Sequence, residues 1–366
     1  MIIIPDSFKG SMSSGEVANI IAEEAIKYGF PYQCKIPIAD GGEGTVDCIL
    51  ATLGGHKEYI QVKSPENVEI KAYYGITDDG IAIIEIAESS GIVKQSSYRA
   101  LEATTYGFGQ LILDALNKGC RRFLLALGGS ATTDCGCGMA AALGIRFSDK
   151  NGKEFVPTGG TLSQVAGMDM SKLDPRIAES EFTVMCDVEN PLYGEQGAAY
   201  VYAPQKGANK EEVLLLDKGL RDICRVIQES TGVDYSGQRG GGAAGGVGCG
   251  CCAFLGAKLQ SGIEVMLEIS KFDDRKRDCD LIITGEGKLD YQSLMGKVLS
   301  GIKRHAGDIP ITVFCGVCEI TKEELEEMNI CAVEIGRGIP PEESMKNGRI
   351  YLQRKAQEYF KHMGNM

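Results

Sequence analysis

Ile2-Ile3-Ile4-Pro5-Asp6-Ser7-Phe8-Lys9-Gly10-Ser11 opens the chain, and Leu281-Ile282-Ile283-Thr284-Gly285-Glu286-Gly287-Lys288-Leu289-Asp290 lies near its far end. Both read as an apolar strand running directly into a loop of Asp, Glu, Gly, Ser and Lys. A third such stretch is Ile36-Pro37-Ile38-Ala39-Asp40-Gly41-Gly42-Glu43-Gly44-Thr45. The carboxyl ends of parallel strands are where open α/β sheets bind ligands. The surrounding pattern supports parallel strands at both termini. Ser13-Ser14-Gly15-Glu16 fits a helix capping box, and Val17, Ile20, Ile21, Ala25 and Tyr28 follow at helical spacing. A strand over residues 33–39 and a helix over 46–53 complete a βαβα order. From about residue 279 the same alternation returns, with strands at 280–284, 311–315 and 331–335 and helices at 294–305, 322–328 and the end of the chain.

The middle follows another pattern. Residues 58–64, 69–75 and 81–86 read as consecutive strands, followed by a helix at 106–117 and strands at 122–127 and 182–186. A long amphipathic helix spans 211–230. The expected fold is therefore α/β: a Rossmann-like, doubly wound parallel sheet domain, residues 1–58 plus 278–366, interrupted by an inserted mixed α/β domain, residues 59–277. The substrate is expected in a cleft between the two.

Two glycine-rich runs in the middle can be superposed. Residues 128–144 begin Gly128-Gly129-Ser130-Ala131-Thr132-Thr133-Asp134-Cys135-Gly136-Cys137-Gly138. Residues 240–256 begin Gly240-Gly241-Gly242-Ala243-Ala244-Gly245-Gly246-Val247-Gly248-Cys249-Gly250. They are identical at nine of seventeen positions. Loops without bulk let backbone amides approach an anion, and a helix start behind them adds a positive dipole end. Gly128, Gly129, Ser130, Thr132, Asp134 and Gly136 in the first run, and Gly242, Gly245 and Gly246 in the second, are thus candidates to bind a ligand with phosphates. Close packing of small residues is the competing explanation.

Composition narrows the classes. The 366 residues carry 38 Lys plus Arg against 50 Asp plus Glu, a net charge of −12, which argues against nucleic acid as a partner. An anionic ligand must then be held locally, by amides, a few Lys or Arg, and a cation. No apolar run is long enough for a membrane span, and the start is too short for a secretion signal. With 14 cysteines and no such signal, the expectation is a cytoplasmic protein with reduced thiols. No Gly-x4-Gly-Lys-Ser/Thr P-loop is present. The three histidines, His56, His305 and His362, lie outside the glycine motifs, so any general base is expected to be a carboxylate. Cys135, Cys137, Cys249, Cys251 and Cys252, with Cys315-Gly-Val-Cys318, read as small hydrophobes more readily than as a metal site. Lys206, in Pro204-Gln205-Lys206-Gly207-Ala208, reads as a solvated charge. Gly136-x-Gly138-x-x-Ala141 and Gly248-x-Gly250-x-x-Ala253 fit a loose dinucleotide pattern, which leaves a nicotinamide-dependent dehydrogenase of a small hydroxy acid as the alternative function.

The acidic loops, Cys186-Asp187-Val188 with Asn190-Pro191-Leu192, Pro204 to Ala208, the glycine runs and Thr284-Gly285-Glu286-Gly287 with Asp290 and Gln292-Ser293 together resemble bacterial glycerate kinase of the first type. The motifs span nearly the whole chain. Cys135 and Cys137 stand where that family favours Gly and Ala, and Thr105 where it favours Ser. The resemblance implies ATP- and Mg²⁺-dependent phosphorylation of D-glycerate, most often to 2-phosphoglycerate. On these residues the expected catalytic set is Lys9, Asp40 and Asp187, with Asp6, Ser7, Lys9 and Glu43 binding substrate. Asp187, Glu286 and Asp290 are the expected metal ligands. The partner is a small molecule, with neither nucleic acid nor membrane involved, and a homodimer is admissible.

Overall fold

The protein is described by a computed structural model covering residues 1–8, 10–32, 34–38, 41–295 and 297–364. The chain divides into two compact units, one of Met1–Ala39 with Gly262–Met366 and one of Asp40–Ser261.

The terminal unit holds a five-stranded, all-parallel sheet. Its order is Ile330–Glu334, Ile311–Cys318, Ile282–Leu289, Ile2–Ile3, Cys34–Lys35. Numbered along this unit, that is the 2-1-3-4-5 order of flavodoxin-like doubly wound sheets. Ile2, Ile3, Ile282 and Ile283 are all fully buried, so both sheet faces are covered. One face packs against helices Ser14–Lys27 and Gly348–Met363, through Val17, Ile21, Leu352 and Phe360. The first helix starts where the sequence indicates: Glu16 N donates to Ser13 Oγ at 3.3 Å and Ser13 N donates back to Glu16 Oε2 at 2.9 Å.

The central unit carries a six-stranded mixed sheet ordered Lys258–Gln260, Glu181–Met185, Arg122–Ala126, Ile81–Glu85, Glu69–Ile76, His56–Lys63. The last two pairings are antiparallel and the other three parallel. Helices Tyr106–Asn117, Lys210–Thr231 and Ala243–Leu255 contribute Phe108, Leu216, Ile223, Val247 and Phe254 to its core. The long helix is fixed at both ends by local chemistry. Asn209 and Glu212 form a capping box, and Gly232 ends the helix at φ 77°.

Two differences from the sequence expectation matter. The unit boundaries fall at 39/40 and 261/262 rather than 58/59 and 277/278. Helix Thr45–Leu53 packs on strands Glu69–Ile76 and Ile81–Glu85, and so belongs to the central unit; helix Gly262–Ile269 packs on Lys297–Ala306 in the terminal one. The Thr284–Leu289 stretch is also strand rather than loop. It stays in register with its neighbour throughout, Glu286 opposite Cys315 and Lys288 opposite Val317. Gly285 permits this, because a Cβ there would meet the Phe8 ring at 3.2 Å and the Phe314 carbonyl oxygen at 3.3 Å. Among the described residues no helix is long and apolar enough to cross a membrane.

Candidate active site

In the terminal unit, strands Ile2–Ile3 and Ile282–Leu289 lie side by side although a long stretch of chain separates them. Strand order reverses there, and in such sheets ligands bind outside the carboxyl ends at that point. A pocket of about 440 Å³ lies at this place. Asp6, Ser7, Phe8, Glu286, Lys288 and Met345 are among its lining residues. The loop after the first strand is pinned to its neighbour, since Asp6 N donates to Gly285 O at 2.8 Å. The Asp6 carboxylate accepts from Ser7 N at 2.6 Å. Phe8 and Met12 then close a short turn.

Asp6 and Glu286 line this pocket, and Asp290 lies close enough to act on the charge of Glu286. Burial pushes the Glu286 carboxyl up to about 7, and the negative charges of Asp6 and Asp290 push the same way. Asp290 pairs with Lys288 at 3.2 Å and accepts from Ser293 N at 3.1 Å. Lys288 also pairs with Glu319 at 2.9 Å. Glu286 therefore sits where a negative charge is poorly supported. Its oxygen donors suit a hard divalent cation. Among the described residues no three His, Cys, Asp or Glu side chains form a ready metal cage.

The central unit assembles a second group of the expected residues. The Gly41–Thr45 loop lies against the first glycine run: Gly128 N donates to Gly41 O at 2.8 Å, and the Glu43 carboxylate lies beside Gly129. Gly41 also packs on Met185, two residues before Asp187. Glu43, Gly128, Gly129 and the Asp187 loop are thus neighbours. Glu85, which the sequence did not single out, organises them. Its buried carboxylate accepts from Val46 N at 2.6 Å and Gly44 N at 3.3 Å, fixing the loop at the start of helix Thr45–Leu53. Burial raises its pKa above the ordinary carboxylate value. Lys9 and Asp40 lie outside the described residues.

The glycine runs pack on each other. Cys135 N donates to Gly245 O at 3.2 Å. A Cβ on Gly245 would overlap the Thr132 carbonyl oxygen and come within 2.6 Å of Thr133 Cα. One on Gly250 would overlap Cys135 O, and one on Gly242 would overlap Pro191 O. Gly245 and Gly246 have φ of 72° and 93°, which breaks the helix near its start. From Gly240 to Cys252 only Ala244 is not buried. The smallness of the second run thus serves packing, whereas Gly129 in the first run is exposed. Asp134 is likewise turned inward. It is fully buried and accepts from Thr105 N and Oγ1, both at 2.8 Å, Gly136 N at 3.1 Å and Gly138 N at 3.3 Å. Ser130 Oγ and Thr132 Oγ1 pair at 2.8 Å.

Lys206 is not a solvated charge. It is 2% exposed, and its Nζ donates to Thr132 O at 2.5 Å. Burial lowers its pKa to about 7, partly offset by Asp134. The cysteines on the two runs are free thiols, and burial raises Cys137 and Cys251 well above the usual range.

The sequence profile of the Glycerate kinase family matches residues 1–364. The chain is 40% identical over 366 residues to a glycerate kinase of Halalkalibacterium halodurans, covering 97% of this chain and 96% of that protein. It is 42% identical over 307 residues to glycerate 2-kinase of Escherichia coli, covering 82% and 80%. A crystal structure from Salmonella typhimurium LT2, of a protein assigned as glycerate kinase 2, superposes with a TM-score of 0.86 at 35% identity, covering 100% of this chain and 98% of that one. This chain belongs to the glycerate kinase family, and it is an enzyme of that family. The dehydrogenase alternative is thereby set aside.

Proposed function

We propose that this enzyme transfers the γ-phosphoryl group of ATP to D-glycerate, giving 2-phosphoglycerate, with Mg²⁺ as cofactor. The observation that carries the reading is the carboxylate group at the strand-order reversal, where Glu286 is held near 7 beside Asp6 and Asp290. Phosphoryl transfer needs positioning and charge neutralisation more than covalent help.

Glu286 and Asp290 are the ligands we assign to Mg²⁺, which when bound would neutralise charge on the nucleotide phosphates. Gly128, Gly129 and Ser130 are the portion of the glycine runs we assign to phosphate contact, because Gly129 is exposed and the second run is spent on packing. Asp6 and Ser7 take the glycerate hydroxyls, and Lys9 the transferring phosphoryl group. Asp40 orients or deprotonates the attacking hydroxyl, with Asp187 the other carboxylate suited to that task.

Lys9→Ala tests the assignment. A positioned charge on a transferring phosphoryl group contributes several kcal/mol. Steady-state kinetics should show kcat/KM reduced by well over tenfold, with an unchanged thermal melt. Retention of more than about a tenth of wild-type kcat/KM, a loss under ~1.4 kcal/mol, removes Lys9 from the reaction.

A further inference from the structure

An acid entering the pocket beside the first strand meets two carboxyl groups on its walls, Asp6 and Glu286. Asp6, Ser7 and Lys9 answer the hydroxyls and the transferring phosphoryl group of glycerate, but not the charge of its carboxylate. Among the described residues that line the pocket, Lys288 is the sole cation. The remaining side chains are serines and the apolar Phe8, Ile335 and Met345.

The strand fixes where Lys288 stands. Residues two apart on a strand share a face, so Lys288 and Glu286 leave Ile282–Leu289 on the same side. The backbone of Lys288 pairs opposite Val317, and its carbonyl oxygen accepts from Ser293 Oγ at 3.0 Å. The side chain beyond is held lightly. Its Nζ pairs with Asp290 at 3.2 Å and with Glu319 at 2.9 Å, two partners for an ammonium with three protons. The Lys288 and Glu319 side chains are 49% and 57% exposed, and ion pairs so exposed contribute little to stability. A substrate carboxylate can replace that of Glu319 like for like. The flexible lysine stem lets the ammonium make this exchange while the backbone stays paired.

We infer that Lys288 holds the carboxylate of the substrate, and is thereby the residue with which this pocket selects a hydroxy acid over a neutral polyol or amide of the same size. Serine hydroxyls can donate to a carboxylate, but they supply no counter-charge. Without Lys288 the acid would face the negative charge of Asp6, and of Glu286 once ionised. The inference rests on the glycerate reading above and adds to it the group that recognises the acid.

Lys288→Met keeps most of the stem and removes the charge. The intact enzyme and its variants are titrated calorimetrically with D-glycerate and with D-glyceramide, whose neutral amide has nearly the shape of the carboxylate, beside thermal melts. Wild type should bind D-glyceramide at least tenfold more weakly than D-glycerate. Lys288→Met should bind D-glycerate at least tenfold more weakly than wild type does, bind D-glyceramide within twofold of wild type, and melt as wild type does. Glu319→Gln removes the competing carboxylate and should bind D-glycerate no more weakly than wild type. A Lys288→Met protein that keeps wild-type affinity for D-glycerate, or loses both ligands equally, overturns the assignment. The two readings fail separately. Phosphorylation of D-glycerate with an unchanged KM in Lys288→Met sinks the role of Lys288 and keeps the kinase. A wild type that binds D-glycerate in this Lys288-dependent way yet transfers no phosphate to it refutes the kinase reaction and keeps Lys288. No binding of D-glycerate by wild type, with or without nucleotide, overturns both.

Discussion

Gly245→Ala sets the packing of the glycine runs against the smaller cost of a strained backbone. The added methyl would overlap the Thr132 carbonyl oxygen and stand 2.6 Å from Thr133 Cα, and both neighbours are backbone that side-chain rotation cannot move. The position also has φ 72°, which costs an L-residue about 1–2 kcal/mol. Overpacking of this kind costs about 1–3 kcal/mol more, for a total of about 2–5 kcal/mol. Gly136→Ala is the control. Its φ is also 72°, but its Cβ would meet nothing closer than Met139 Cε at 3.4 Å. It should cost only the backbone term, about 1–2 kcal/mol. For a unit of this size about 1 kcal/mol moves the melting temperature by about 2–4 °C. Gly245→Ala should therefore melt about 4–20 °C below wild type, and Gly136→Ala clearly less. Differential scanning calorimetry of the two variants reads this directly. Equal shifts, or a Gly245→Ala protein as stable as wild type, would refute the packing account and return the second run to a ligand-facing role.

Other perturbations have equally definite outcomes. Glu85→Ala leaves Gly44 N and Val46 N without their acceptor and should cost about 1–3 kcal/mol in urea unfolding, with Glu85→Gln recovering part of it; an unaffected Ala variant would deny Glu85 its role. Glu286 holds its proton more tightly folded than unfolded, so its contribution to stability is complete below about pH 4.5 and is lost as pH rises through about 7. At most about 3 kcal/mol is at stake; melts from pH 5 to 8 should show Glu286→Gln lacking this decline and Mg²⁺ offsetting it only in wild type, and parallel curves would contradict the assignment. Asp290→Asn removes a charge with little change of shape, so magnesium titration of activity should shift to higher concentration; a superimposable titration takes Asp290 out of the metal site.

What was legible in the sequence was local. The Ser13–Glu16 capping box, the strand residues Ile2–Ile3 and Ile282–Ile283, and the helix Tyr106–Asn117 are set by neighbours a few positions away, and they stand where their pattern puts them. What was hidden depends on distant chain. Nothing around Glu85 signals that its carboxylate reaches Gly44 and Val46. Lys206 looks solvated until residues 130–134 fold over it. Thr284–Leu289 carries two glycines and reads as a loop, yet pairing with Ile311–Cys318 makes it a strand. Met345 and Gly348, in the last helical stretch, line the pocket beside Asp6 with no motif to announce them. The two glycine runs are plain in the sequence, but glycine spacing alone cannot say whether a ligand or the other run requires the missing side chains. Gly245 against Thr132 shows that packing is one requirement on the second run.

The central claim is Mg²⁺-dependent transfer of phosphate from ATP to glycerate. Phosphorus NMR of purified enzyme with D-glycerate, ATP and Mg²⁺ tests it most directly. The account predicts loss of the γ-phosphate resonance, growth of ADP, and one new phosphomonoester signal, that of 2-phosphoglycerate, only when D-glycerate and Mg²⁺ are both present. Free inorganic phosphate as the sole new signal, or no change over many enzyme equivalents of time, would contradict it.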